Sequence, residues 1–265
     1  MPIPPWRKWT RVLEVRLTRR RLLSGARGSA PTAARVQGTQ TNFEARLYAH
    51  RFSKELQGVK RQLWAVLIQE FLQRRIDPRS HILDIGGGYC EFINQVRAAA
   101  KYVVDQNPEV ITHVAPAVTV LDMVDDRIQG LDDASCDVVF ASNFFEHLHH
   151  TAELLGVLAE IHRVLRPRGR LFVLQPNIKY AYREYWDFLD HHLPLSHASL
   201  QEALEMSGFA VRECIPRFLP YTVKSRFPKF PWMFRWYLRL PLLWPVVGKQ
   251  MFLSAETRAS SIVSA

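Results

Sequence analysis

A chain of 265 residues that is 48% apolar and 11% aromatic can close one full hydrophobic core, which excludes an intrinsically disordered chain. Its three cysteines, Cys90, Cys136 and Cys214, are widely spaced and share no metal-ligand spacing, so a reduced, intracellular protein is expected rather than a disulfide-stapled one. The net charge of +10 sits at two places: residues 1–35 hold nine Lys/Arg against Glu14, and residues 214–249 hold seven with no acid, while 36–213 carries a net −5. Basic segments of this kind suit an anionic membrane surface or nucleic acid.

The N-terminal arm has charges scattered where a secretory signal needs an apolar run, and no stretch is apolar for long enough to span a bilayer. Residues 1–40 read as a basic flexible arm. From Asn42 to Ile76 the apolar residues Val59, Leu63, Val66, Leu67 and Phe71 follow helical spacing, giving a helical cap over 41–75 that Asp77-Pro78 stops. Short apolar runs then alternate with helical segments. Strands are predicted at 81–85, 102–105, 118–121, 136–142, 170–175 and 209–215, with helices at 91–100, 151–165 and 198–207 and a turn at 166–169. Such alternation makes βαβ units and a parallel sheet covered on both faces. A further strand, GKQMFLSAE at 248–256, follows a segment (216–246) with six prolines and interleaved aromatic and basic residues, which therefore reads as an amphipathic insert between the last two strands. The main domain is assigned to 76–256 and a tail to 257–265.

The first of these strands runs into a glycine turn, 81-HILDIGGGYCEF-92. Gly86 and Gly88 fit the start of a pyrophosphate-binding G-x-G-x-x-G fingerprint, but Glu91 stands at its third glycine and Asp84 precedes it, so the turn suits a cationic ligand better than a phosphate. Asp84-x-Gly86-x-Gly88 resembles the D/E-x-G-x-G-x-G motif of class I S-adenosylmethionine-dependent methyltransferases (the type 11/12-like group), with Cys90 at the third glycine. The resemblance runs from about 76 to 213. It extends to Asp105, at the end of the second strand, to Asp122-Met123 after the third, to 142-SNFFEHL-148 after the fourth, and to the turn and strand 164-VLRPRGRLFVLQPN-177. It implies a Rossmann-like three-layer α/β sandwich whose seven-stranded, mostly parallel sheet has an antiparallel last strand, preceded by N-terminal helices. It also implies S-adenosylmethionine as cofactor, bound by Asp84, Gly86, Gly88, Asp105 (ribose hydroxyls), Asp122 and Met123 (adenine; Asp125 or Asp126 are the alternatives) and Asn143. Asn143-Phe-Phe-Glu146 departs from the N-P-P-Y/F signature of enzymes that methylate base amino groups.

Methyl transfer to a hydroxyl needs a base, and two clusters offer one: Glu146, His147, His149 and His150 after the fourth strand, and Asp190, His191 and His192 after the fifth. Glu146, His147 and His191 are the catalytic candidates. Glu146 and His147 have a competing role, capping the helix at 151–165. Asn143, Glu146 and His147 could hold a divalent metal, but their spacing defines no site and no metal is assigned. The rings Tyr180, Tyr182, Tyr185, Trp186 and Phe188 suit stacking on a sugar, or a lid packed on its own sheet. In the insert, Trp232, Trp236, Tyr237 and Trp244 beside Lys229, Arg235 and Arg239 match a membrane-interface pattern. QPN-x-x-Y, YWDF-x-DH and GKQMF resemble bacterial methyltransferases that accompany surface-glycan assembly. The expected partner is thus a glycan or lipid-linked acceptor, and the expected location cytoplasmic, peripheral on the inner membrane face. Nucleic acid is disfavoured. An RNA/DNA or small-molecule methyltransferase and a non-catalytic cofactor-binding protein are the alternatives, and the oligomeric state is open.

Overall fold

The computed structural model describes residues 54–107, 110–124, 127–221 and 230–258. The basic arm, the first part of the helical cap, residues 259–265 of the tail, Asp125, Asp126 and Lys229 lie outside them. Seven strands form one sheet: β1 (His81–Ile85), β2 (Ala100–Val104), β3 (Thr119–Leu121), β6 (Cys136–Ser142), β7 (Leu165–Pro176), β8 (Phe209–Leu219) and β9 (Gln250–Thr257). A two-stranded hairpin, β4 (Met123–Val124) and β5 (Arg127–Ile128), follows β3. The sheet order is β3-β2-β1-β6-β7-β9-β8, with β9 antiparallel to both of its neighbours and the remaining pairs parallel. This is the expected seven-stranded α/β sheet. Strand order reverses between β1 and β6, the place where open α/β sheets bind ligands beyond their carboxyl ends.

Alternation along the buried strands sorts the core into two layers. Leu83, Ile85, Val139, Ala141, Leu171 and Val173 face one side, under α4 (Thr151–Val164) and α6 (His197–Met206). Ile82, Val138, Phe140, Phe172, Leu174 and Phe252 face the other, where α1 (Lys54–Leu67), α2 (Glu91–Gln95) and α7 (Pro231–Arg239) lie. The remaining helices are α3 (Val110–His113), α5 (Ile178–Tyr185) and α8 (Trp244–Val247).

Three local differences from expectation have physical causes. The helix expected over 91–100 ends at Gln95, because Gln73 donates to Arg97 O and accepts from Arg97 N, drawing the chain out of the helix toward β2. The turn at 166–169 lies within a continuous strand: Cys136 pairs with Leu165 and Val138 with Arg170, so the residues between loop out as a bulge with Arg168 at φ 65°. Finally, β8 runs on past Ile215 to Leu219, so α7 and α8 follow it later than the expected start at 216.

The rings of that segment divide. Tyr237 is buried with its hydroxyl donating to Phe218 O, and Trp244 packs on Phe71 and Phe218 and donates to Tyr237 O. Tyr237 is a core residue and Trp244 is half-buried against the core, so neither is a surface anchor. Arg235 and Arg239, read as lipid-facing, turn to Glu70, a buried acid in the π turn (Ile68–Leu72) that follows α1. Hydrogen bonding from Arg239, with the charges of Arg235 and Arg74, holds the Glu70 carboxyl below its usual range. Replacing Glu70 by Gln should therefore remove about 1.5 kcal/mol, seen as a fall of about 4 °C in Tm at neutral pH. A group with a depressed folded-state pKa stabilises above the ordinary glutamate range and loses that contribution as pH falls through the depressed value. The two proteins should thus converge in acid melts; a gap that persists there would show that shape, not charge, is what Glu70 contributes.

Candidate active site

The turn after β1 is built so that backbone comes close to its neighbours. Gly86 and Gly88 have φ of 71° and 52°, which glycine adopts at little cost. A Cβ on Gly86 would lie 2.7 Å from Phe144 Cδ2, in the loop after β6, and one on Gly87 would lie 2.3 Å from Val103 Cγ2 on β2. Cys90 closes the turn at φ 58° as the residue capping α2, fully buried, and its thiol is pushed up to about 12 by burial and the surrounding acids.

Three carboxylates surround this turn. Asp84 is 3% exposed at the tip of β1 and makes no ion pair among the described residues; burial, and then the charges of Asp105 and Glu91, push its pKa well up. Asp105, just past β2, accepts the amides of Gly88 (2.6 Å) and Asn107 (2.8 Å), one on each oxygen, and burial raises it too. Each oxygen keeps a second acceptor position. Glu91 pairs with Lys60 at 3.2 Å. Three acids around one buried turn suit a cationic ligand, which favours their ionised forms, and ill suit phosphate.

The loop after β6 forms a short 3-10 turn (Phe145–His147). It does not cap α4. That role falls to His150, whose ring accepts the Glu153 amide, while Glu153 accepts the His149 amide. Glu146 and His147 are thus released for another use. Glu146 is 1% exposed, its Oε2 has no hydrogen-bond partner, and burial pushes its pKa up to about 7. Its carbonyl accepts the amides of His192 and Leu193, which fastens the loop after α5 to this turn. His147 Nδ1 lies 2.9 Å from the Asp190 carbonyl and 3.4 Å from its carboxylate. His191 is buried among Tyr185, Phe188 and Tyr221. The result is a cluster in which Glu146, His147 and His191 each offer a ligating or proton-accepting atom within 4.8 Å of the others. Phe144, next to this 3-10 turn, packs on Gly86, so the cluster adjoins the glycine turn.

The structure brings the three catalytic candidates together, although they come from two loops 45 residues apart. It also brings Asp84, Gly86, Gly88 and Asp105 together around one turn. Asn143 stands at the tip of β6, exposed and at φ 48°, its amide donating to Leu174 O. Asp122 and Met123 lie at the base of the β4–β5 hairpin, with Gln129 N donating to Asp122 O. Sequence reading missed Phe144 and Tyr221. It also missed Gln175, which is buried at the end of β7 with both amide atoms unpartnered. A glutamine closing an apolar strand was the available signal.

Comparison with known proteins agrees with this geometry. Residues 83–173 match the family model described as a methyltransferase domain. No curated protein matches the chain. Among solved structures, a SAM-dependent methyltransferase from Archaeoglobus fulgidus superposes with a TM-score of 0.55 at 18% identity, covering 82% of this chain and 99% of that one. The complex of the Trm112 methyltransferase activator with a methyltransferase from Haloferax volcanii gives 0.56 at 16% identity, covering 77% and 93%. A SAM-dependent methyltransferase from Methanosarcina mazei gives 0.52 at 15%, covering 71% and 97%. At these identities the likeness is one of fold.

The turn itself makes a sharp prediction. Gly87→Ala forces Cβ against Val103 and should cost about 2 kcal/mol, a fall of about 6 °C in Tm. Gly58→Ala, on α1 with open space around it, should leave Tm unchanged or raise it slightly. Equal melting of the two variants would contradict the close packing of the turn.

Proposed function

We propose that the chain is an S-adenosylmethionine-dependent methyltransferase and that its acceptor is a hydroxyl group of a glycan or lipid-linked saccharide, methylated at the cytoplasmic face of a membrane. The residues around the glycine turn fit the cofactor. Asp84 is a buried acid without an ion-pair partner among the described residues, suited to the cationic methionine end. Asp105 keeps an acceptor position on each of its two oxygens for the ribose diol. Asp122, Met123 and Asn143 are the assigned contacts on the remaining rim. Bound there, the cofactor supplies a methyl group on a sulfonium.

The single observation that carries the acceptor reading is the convergence of Glu146, His147 and His191 beside the glycine turn. A hydroxyl must lose its proton as it is methylated, and this cluster can orient that hydroxyl and handle the proton. The rings Tyr185, Phe188 and Tyr221 around His191 supply apolar faces against which a sugar ring can lie. The membrane reading rests on exposed apolar residues between β8 and β9: Phe230, Trp232, Trp236, Leu240, Leu242 and Val246, with Leu242 89% exposed. Aromatic rings at a surface with apolar neighbours suit the headgroup layer. Among the described residues, no helix is long and apolar enough to cross a membrane.

Four outcomes are expected. With methyl-labelled cofactor and extracts of the host, label should enter an organic-solvent fraction in alkali-stable linkage; label entering RNA instead would overturn the acceptor. In calorimetry, Asp105→Ala should weaken cofactor binding about tenfold or more. Because the pKa of Asp84 is raised in the free protein and a cation favours its ionised form, binding should release a proton and tighten as pH rises. Asp84→Asn should abolish the dependence of the binding heat on buffer ionisation enthalpy. Replacing Trp232 and Trp236 together by Ala should weaken sedimentation with anionic vesicles about tenfold; unchanged sedimentation would remove the membrane contact.

A further inference from the structure

We propose that Glu146, His147 and His191 hold a divalent transition-metal ion, such as Zn2+ or Mn2+, at the acceptor end of the site. This inference rests on the hydroxyl-acceptor reading only for what the ion would do there, not for whether it binds.

Two independent features point to a ligand. The first is the donor set. One carboxylate and two imidazoles, each offering an atom within 4.8 Å of the others, is a set that suits zinc, manganese or iron and ill suits magnesium or calcium, which take oxygen ligands. A tetrahedral ion with bonds of about 2.1 Å has ligand edges of about 3.4 Å, so the side chains need to close by about an ångström. The second feature is the orphaned Glu146 Oε2, which has no hydrogen-bond partner although the residue is 1% exposed. An unpartnered carboxylate oxygen is costly in such a setting, and a bound cation satisfies it.

The surroundings match what metal-bound histidines require. A ligating imidazole normally turns its other nitrogen to a carbonyl, carboxylate or hydroxyl, which fixes the ring and its tautomer. His147 Nδ1 faces Asp190, through both its carbonyl and its carboxylate, and His191 Nδ1 lies 3.4 Å from the Tyr221 hydroxyl. Coordination through Nε2 of each ring keeps both contacts. His192 N and Leu193 N on the Glu146 carbonyl then hold the two loops in one register, so the three donors move as a unit. His147 is partly exposed, which leaves a side open for exchangeable ligands.

Three protein ligands leave a coordination position for the acceptor oxygen. An ion there lowers the pKa of the hydroxyl it binds. The oxygen then forms its bond to the methyl carbon as the sulfur–methyl bond breaks, the electron pair stays on sulfur, and the hydroxyl proton passes to water. Asp190 acts as a positioning residue for His147.

The test uses the full chain, stripped with chelator and titrated with ZnCl2 or MnCl2 by calorimetry without cofactor or acceptor. One ion per chain is expected, with His191→Ala and Glu146→Gln each weakening it about tenfold or more. His149→Ala, at an exposed histidine outside the trio, should bind as the parent does. Circular dichroism separates a lost site from a lost fold, and the near-isosteric Glu146→Gln keeps the test open if His191→Ala fails to fold. No stoichiometric binding, or binding unchanged in folded Glu146→Gln, would overturn the ion site. The acceptor reading fails differently, through label found in RNA, and that result leaves the calorimetric outcome intact.

Discussion

The site depends on one hydrogen bond between the ends of two strands. Asp105, past β2, accepts the Gly88 amide and so holds the glycine turn after β1 against its neighbour strand. The bond fixes the turn's backbone and the orientation of the Asp105 carboxylate together. It also keeps that acid close to Asp84 and Glu91, a crowding that a proton on Asp84 or a positively charged guest relieves. Phe144 closes the turn from the other side, where its ring occupies the space a Cβ on Gly86 would need. The glycine turn after β1 and the loop after β6 are therefore in contact through a glycine and a phenylalanine.

Most of the sheet was legible because buried parallel strands announce themselves as short apolar runs, as HILDI and CDVVFAS do. The count of seven strands and the antiparallel β9 followed from the resemblance. What failed was local. No periodicity marks where α2 stops, since the cause is a glutamine 24 residues earlier that bonds to the backbone of Arg97. Likewise the bulge in β7 read as a turn, because Arg-Pro-Arg-Gly has turn composition whether or not pairing resumes beyond it.

The site was legible in parts and not in its joining. Asp84, Gly86, Gly88 and Asp105 stand at spacings that place them around one turn. Glu146 and His191 do not, for their proximity arises from main-chain bonds between the Glu146 carbonyl and residues 192 and 193. Capping of α4 was a reasonable rival use for Glu146 until His150 was seen to fill it. In the insert, composition could not tell a ring on the surface from a ring in the core. Trp232 and Trp244 look alike in sequence, yet only the first is exposed, and the arginines among them serve Glu70.

The position of β9 has a consequence for how the protein is made. Among the described residues, the last strand lies inside the sheet, between β7 and β8, and β8 bonds to the remainder of the sheet through β9 alone. During synthesis from the N-terminus, β8 has no partner strand until residues 250–257 have left the ribosome. Until then β7 also presents an open edge carrying Phe172 and Leu174, the kind of surface that recruits chaperones or stray strands. A translation arrest shortly before residue 250 would leave β7 and β8 both without the strand that joins them.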